Sequence, residues 1–277
     1  MQMDRNSALN MKTLTRRQFM LPAEHGAWVF LFTPLLIGLV LGGRMAFASS
    51  LLVLTSLSAF LVRQPVTILV KVLSGRRPRG NLGPASFWLI VYSLVGLSGI
   101  AGLLWMGYSF ILLLTIPAVP VLIWHLWLVS RRAERHQMIV EIAGGAVLAL
   151  AAPAAYWVGK GQYEPTGWLL WGLIALQIAG SIIYTYLRLK QRRLSGAPTF
   201  KEGLRMGSLA LLFNGGLLIL VALLAMLKVT PPWLPAIYAV QVFEVIWGIL
   251  HPAVRAKPGV IGTRQLVVSL LFILVWG

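Results

Sequence analysis

Polar side chains recur at helical spacing inside apolar stretches of the chain, and their types could do chemistry. One stripe spans three helical turns and covers about 60° of the helix surface: Gln177, Ser181, Tyr184 and Arg188. Such a stripe can hold neighbouring helices together through hydrogen bonds. It ends in an arginine, which that role does not require. We therefore predict that Gln177, Tyr184 and Arg188 line a ligand-binding site.

A second polar group lies on an earlier predicted helix. Its members share an arc of about 100°: Arg63, Gln64, Thr67 and Lys71. Lys71 lies near the helix end, where a long side chain can extend to the lipid head groups. Arg63 lies two turns deeper, and an ionisable group at that depth is costly in lipid. We interpret Arg63, Gln64 and Lys71 as candidate ligand-binding residues.

The first predicted helix opens with an acid and a histidine, in the sequence Glu24-His25-Gly26-Ala27-Trp28. A helix start at the membrane interface accounts for the glutamate and the tryptophan. It does not account for His25 beside a glycine, where another backbone could approach closely. Glu24 and His25 therefore join the candidate ligand-binding residues.

The eighth predicted helix presents a broader polar face: Gln241, Glu244 and His251. Glu244 lies about 10 Å from His251 along the axis, so its carboxylate needs a cationic partner or a proton. Arg63 or Arg188 is the expected partner, and Glu244 and His251 become candidate ligand-binding residues. We expect His25, Arg63 and Arg188 to converge on one cytoplasm-facing cavity with Glu244 at its floor.

The remaining metal-binding residue types form no recognisable motif. The four histidines all map to the same half of the predicted helices, which would allow a haem or metal site: His25, His125, His136 and His251. No H-x-x-E-H, H-E-x-x-H or paired-carboxylate spacing accompanies them, and cysteine is absent. We therefore expect no metal site and no resident cofactor.

Composition identifies the elements that must position these residues. Of the 277 residues, 58% are hydrophobic and 11% are charged, whereas soluble domains carry about 25% charged residues. Many apolar runs approach the ~20 residues with which a helix spans a bilayer. Lipid offers no partner for bare backbone groups, and the runs do not alternate as barrel strands do. The sequence therefore predicts an all-α polytopic membrane protein.

The apolar runs predict nine transmembrane helices, separated by glycine, proline and serine turns. Their expected positions are 25–42, 46–70, 84–106, 108–129, 138–158, 167–188, 206–227, 233–252 and 262–277. We expect a basic cytoplasmic tail over 1–21 and a single transmembrane helical domain over 22–277.

The basic residues predict the orientation. When alternate loops are assigned to opposite sides, one side holds all of the 24 lysines and arginines except Arg44, Lys160 and Lys228. The positive-inside rule makes this side cytoplasmic, together with the N-terminus. We expect a multi-pass protein of the bacterial cytoplasmic membrane. The net charge of +17 is spread over helix ends and forms no single basic face, so no nucleic-acid partner is expected.

Several motifs resemble the YwiC-like family of bacterial integral membrane proteins. The most specific is Glu24-His25-Gly26-Ala27-Trp28, and the others are Arg63-Gln64-Pro65, Arg77-Pro78, Tyr184…Arg188 and Pro258-Gly259-Val260-Ile261-Gly262. The resemblance covers most of the chain from residue 21. It implies an integral membrane protein and does not by itself imply an activity.

A more distant resemblance links the chain to the UbiA prenyltransferase superfamily. It implies a nine-helix bundle with the active site at the cytoplasmic ends of helices 2 and 6, where two Asp-rich motifs hold Mg²⁺ and a prenyl diphosphate. The corresponding positions here read Arg63-Gln64…Thr67 and Tyr184…Arg188, and the only aspartate is Asp4. Metal-dependent prenyl transfer is therefore not expected. A basic site instead suits an anion that is bound directly.

Three functions remain open from the sequence. The first is a UbiA-like protein that binds an anionic or isoprenoid/quinone-type lipid, and at most a prenyltransferase-like enzyme without the Asp-rich motifs. The second is a small-anion transporter, which should carry polar groups on both sides of its site. The third is an accessory membrane subunit of a respiratory system. In that case the polar stripes would contact partner subunits. The expected partners of the protein are membrane lipids, with an anionic lipid or an isoprenoid as the possible ligand.

Overall fold

The computed structural model describes residues 16–22, 25–131, 137–256 and Phe272. Over these residues the chain is helical and contains no β-strand. The helices are α1 (His25–Gly42), α2 (Phe47–Leu73), α3 (Leu82–Trp105), α4 (Thr115–Ser130), α5a (Met138–Leu148), α5b (Ala151–Lys160), α6 (Thr166–Arg192), α7 (Phe200–Met226) and α8 (Leu234–Leu250). One helical turn, Arg17–Met20, precedes α1. The predicted ninth helix, 262–277, lies outside the described residues except for Phe272.

The lengths and composition of these helices confirm the polytopic membrane fold. In the described ranges, six helical stretches are long and apolar enough to cross a bilayer: Phe47–Leu73, Arg79–Trp105, Ser109–Ser130, Met138–Lys160, Thr166–Arg192 and Phe200–Met226. Two shorter apolar helices accompany them, Gly26–Gly42 and Leu234–Leu250. Each matches one of the first eight predicted helices.

Three predicted helices differ from the structure. The fourth, expected over 108–129, opens with a 3₁₀ segment, Ser109–Leu114, before α4 begins at Thr115. The other two differences have identifiable reasons. The seventh helix was expected from 206 but begins at Phe200, because Thr199 and Glu202 form a capping box. The fifth was expected to be continuous over 138–158 but breaks between α5a and α5b. Pro153 has no backbone N–H, so the helical bond to the carbonyl of Ala149 cannot form there.

Small residues bring α1 and α5b into close contact. A Cβ added to Gly42 would lie 3.0 Å from the Cα of Gly159, and one added to Gly38 would lie 2.8 Å from the Cβ of Ala155. Gly38 and Gly42 are four residues apart, as are Ala155 and Gly159, so each pair lies on one helix face. This small-xxx-small arrangement is how membrane helices gain close packing without a hydrophobic driving force.

The helix α6 is the centre of the second half of the protein. It packs against α5a, α5b, α7 and α8, whereas α2 packs mainly against α3. The Tyr238 hydroxyl on α8 donates to the carbonyl of Leu173 on α6 at 3.2 Å. Alternating spans make α6 and α8 run in the same direction, with α7 antiparallel to both. Phe272 packs against this group, with its ring centroid 5.7 Å from that of Tyr238.

We predict that the segment 189–205, which contains the connection between α6 and α7, faces the cytoplasm and that the C-terminus lies outside, as the charge distribution indicates. Fusions of an alkaline phosphatase and a cytoplasmic fluorescent reporter to each position measure this directly. The phosphatase should be active only at the C-terminus. A C-terminus on the cytoplasmic side would contradict the nine-helix count, because an even number of spans would then be required.

Candidate functional site

Arg188 binds the C-terminal end of α8 at the expected cytoplasmic end of the bundle. Its Nη1 donates to the carbonyl oxygens of Gly248 at 2.8 Å and His251 at 2.7 Å, and to Oε1 of Gln191 at 2.9 Å. The last carbonyls of a helix have no partner within it and carry its negative dipole end. A guanidinium therefore satisfies them both by hydrogen bonding and by charge.

Gln191 completes this connection from a fully buried position, with 0% of its surface exposed. Its Nε2 donates to the carbonyl of Gly248 at 2.9 Å, and its Oε1 accepts from the backbone N–H of Ala253 at 3.2 Å. Arg192 Nε donates to the carbonyl of Ala256 at 2.9 Å. We call Arg188, Gln191 and Arg192, together with residues 248–256, the α6–α8 latch.

Aromatic rings surround the latch. The Tyr184 ring is buried, and its centroid lies 5.9 Å from Cζ of Arg188. A Cβ on Gly248 would lie 2.6 Å from the Tyr184 hydroxyl oxygen, so this close approach requires glycine. The exposed His251 ring stacks on Trp247 with centroids 3.9 Å apart. Tryptophan and histidine in this arrangement suit the polar edge of a membrane.

The structure thus brings three predicted site residues into one place. Tyr184, Arg188 and His251 contact one another directly or through the latch. Glu244 is half-buried one turn before Gly248 on α8, and Gln177 is buried deeper along α6. This arrangement can present a fixed guanidinium next to aromatic faces.

In the polar group of α2, Gln64 contacts the N-terminal helical turn Arg17–Met20. Gln64 Nε2 donates to the backbone carbonyl of Gln18 at 2.8 Å, and Tyr92 on α3 donates to the carbonyl of Met20 at 2.9 Å. Phe19 is buried against α2 and α3. Gln64 therefore fixes the N-terminal helical turn. Its predicted ligand-binding role stays a prediction.

The expected convergence of the basic residues also stays a prediction. Arg63 and Lys71 are half-buried on α2, whose main neighbours are α3, α4 and α5b. Glu24 and the side chain of His25 lie outside the described residues. In the described part of the chain, no group of three or more histidines, aspartates or glutamates is placed to hold a metal ion.

Two functional candidates were missed by the sequence reasoning. Asn214 on α7 is buried, and its Nδ2 donates to the carbonyls of Ala210 at 2.8 Å and Gly180 at 3.4 Å. Tyr186 donates to Glu141 Oε1 at 2.9 Å, linking α6 to α5a. An amide among apolar residues is a readable signal for Asn214, since a polar side chain in a membrane helix is a candidate by default.

The comparisons with known proteins point to the same family that the motif at the start of α1 resembles. The model of the YwiC-like protein family matches residues 21–156. Over these residues the chain is similar to the YwiC-like family. The uncharacterized protein YwiC of Bacillus subtilis (strain 168) is 25% identical over 174 residues, which are 63% of this chain and 69% of that protein. No solved structure matches the chain.

The region that matches the YwiC-like family includes the polar group of α2 but not the α6–α8 latch. It extends from before α1 to α5b and includes Arg63, Gln64 and Lys71. The α6–α8 latch follows the matched residues in the sequence. The likeness to the UbiA superfamily stays an expectation from the sequence motifs.

Proposed function

We propose that this YwiC-like membrane protein lies in the bacterial cytoplasmic membrane and binds an anionic lipid, of phospholipid or isoprenoid-phosphate type, at the α6–α8 latch. The observation that carries the proposal is the position of Arg188. Three acceptors hold its guanidinium at the end of α6. A cation whose orientation is already fixed loses little freedom on binding a phosphate-type head group.

The charge balance around the latch supports an anionic partner. The segments 188–205 and 244–256 contain seven basic residues and two acids: Arg188, Lys190, Arg192, Arg193, Lys201, Arg205 and Arg255, against Glu202 and Glu244. If both glutamates pair with cations, five positive charges remain. A basic cluster beside a membrane attracts anionic lipids by about 1 kcal/mol per residue near the surface.

The neighbouring apolar surface supports a lipid over a free anion. Trp247 and Leu250 are exposed on α8 close to His251, and Phe243 and Ile246 continue this surface toward the membrane centre. Hydrocarbon chains of a bound lipid can lie along these side chains while the head group meets the basic residues. A free inorganic anion would gain nothing from them.

The proposal predicts selective loss of lipid binding in the variant Arg188→Gln. The purified protein should bind phosphatidylglycerol in preference to phosphatidylcholine, as measured by native mass spectrometry from detergent micelles. Loss of a charge-assisted hydrogen bond of about 1.5–3 kcal/mol should weaken phosphatidylglycerol binding roughly tenfold or more.

The control is Lys190→Gln, which removes an exposed charge from the same helix end. Binding by this variant should fall by at most about fivefold, the ~1 kcal/mol that one basic residue near the membrane surface contributes, and therefore by less than in Arg188→Gln. Both variants must retain the helical circular dichroism spectrum of the wild type. Equal binding of the two lipids by the wild type, or equal losses in the two variants, would contradict the proposal.

A further inference from the structure

Three side-chain amides lie buried on three neighbouring helices. Gln177 belongs to α6, Asn214 to α7 and Gln241 to α8, and their exposed fractions are 6%, 2% and 3%. The three helices pack against one another. Asn214 is near the middle of α7, which spans Phe200–Met226.

Contacts between the three helices indicate that the three amides lie at about the same depth along the helix axes. On α6 and α8, which run in parallel, the carbonyl of Leu173 meets Tyr238 and Tyr184 packs on Gly248. Gln177 lies four residues after Leu173, and Gln241 lies three residues after Tyr238. The two amides are therefore about level along the common axis.

The antiparallel helix α7 joins the same layer. Gly207 packs on Ile249 of α8. Asn214 lies seven residues further along α7, and Gln241 lies eight residues back along α8. Asn214 also donates to the carbonyl of Gly180 on α6 at 3.4 Å. We call Gln177, Asn214 and Gln241 the amide layer.

Hydrogen bonds that join the helices satisfy only some of the polar atoms of the amide layer. The Nδ2 of Asn214 has two backbone acceptors. Its buried Oδ1 has no hydrogen-bond partner within the described part of the chain, and neither has the Nε2 or the Oε1 of Gln241. Polar groups without partners are costly in a membrane interior, where water cannot replace the missing bonds. Simple interhelical contacts would have satisfied these atoms.

The surroundings of the layer define the chemistry of a ligand. The segments 166–187, 206–226 and 234–243 contain no charged residue, so an anion would find no counter-charge there. An amide both donates and accepts hydrogen bonds. A matching group is neutral and carries a carbonyl oxygen, which accepts from Gln241 Nε2, or a hydroxyl, which donates to an amide oxygen.

We propose that the amide layer binds the neutral carbonyl or hydroxyl head group of an apolar molecule between α6, α7 and α8. Beside Asn214, α7 has no side chains at Gly215 and Gly216, and a Cβ at either would meet no atom within 4 Å. This open space allows approach from the lipid. The site is independent of the anionic site at the α6–α8 latch, since it needs no cation.

Binding of two ten-carbon probes to the purified full-length protein in detergent tests the proposal. A para-benzoquinone with a decyl chain offers carbonyls, and decanol offers a hydroxyl. Isothermal titration should detect binding of at least one of them, and the preferred probe identifies the head-group type. In Gln241→Leu the affinity should fall at least tenfold, while the melting temperature stays equal or rises. Gln241→Met replaces it if the leucine variant cannot be purified.

The matched control is Gln137→Leu, the same replacement at an exposed amide before α5a whose side chain makes no cap hydrogen bond. Its affinity for the probes should stay within twofold of the wild type. Absence of binding of both probes to the wild type would overturn the proposal. Unchanged affinity in the Gln241 variant would also overturn it. Neither result affects the phospholipid experiment on Arg188.

Discussion

Replacing Gly159 by alanine is expected to lower the stability of the protein by about 2 kcal/mol or more, as overpacking of a close-packed interior does. The new Cβ would lie 2.6 Å from the Cα of Gly42 and 2.8 Å from its carbonyl carbon. These are backbone atoms of α1, which cannot turn aside as a side chain can. The α1–α5b contact must therefore widen, and the melting temperature of the detergent-solubilised protein should fall clearly.

The control for this change is Gly144→Ala on α5a. A Cβ at Gly144 meets no atom within 4 Å, so its melting temperature should stay close to that of the wild type. Equal melting temperatures for the two variants would show that α1 and α5b do not pack through Gly42 and Gly159. A melting temperature that is lowered only in Gly144→Ala would lead to the same conclusion.

The variant Gln191→Leu is expected to lose about 3 kcal/mol of stability. Leucine keeps most of the volume but removes the bonds to Gly248, Ala253 and Arg188. Each such bond contributes about 1 kcal/mol, and the buried N–H of Ala253 would lose its acceptor, which costs about 1–3 kcal/mol. The segment 251–256 should then separate from α6. Trypsin should cleave after Arg255 much faster than in the wild type, relative to cleavage after the exposed Arg193.

The matched control is Gln137→Leu, at an exposed position before α5a where the side chain makes no cap hydrogen bond. Exposed substitutions change stability by at most about 0.5 kcal/mol. If the two leucine variants have the same melting temperature and trypsin cleaves both at the same rate after Arg255, Gln191 does not hold the latch. Faster cleavage without a change in melting temperature would show that the latch is local and adds little to the global stability.

Most helix positions could be predicted because lipid allows few alternatives to a helix for an apolar run of this length. Two of the differences were local, and their signals were present in the sequence. The start of α7 follows from Thr199 and Glu202, which have the spacing of a capping box. The break in α5 follows from Pro153, which cannot continue the preceding helical bonds.

The candidate site could be predicted only in part. The helical period placed Tyr184 and Arg188 on one face, and the structure has them in contact. The sequence offered Glu244 or a ligand as the partner of Arg188, but its observed acceptors include main-chain carbonyls of Gly248 and His251. Every residue carries a carbonyl, so no residue type marks these as the acceptors.

The sequence by itself determined the membrane class and the first eight helices, because both depend on local hydropathy. The side on which the charges lie stays a prediction from the count of lysines and arginines. Only the tertiary structure decided which polar side chains have hydrogen-bond partners among the described residues. Gln64 and Gln241 are both amides in apolar helices, yet Gln64 meets the carbonyl of Gln18 and Gln241 is buried without a partner among the described residues. That difference depends on which backbone atoms from distant segments come within hydrogen-bonding distance, and spacing along one helix does not contain this information.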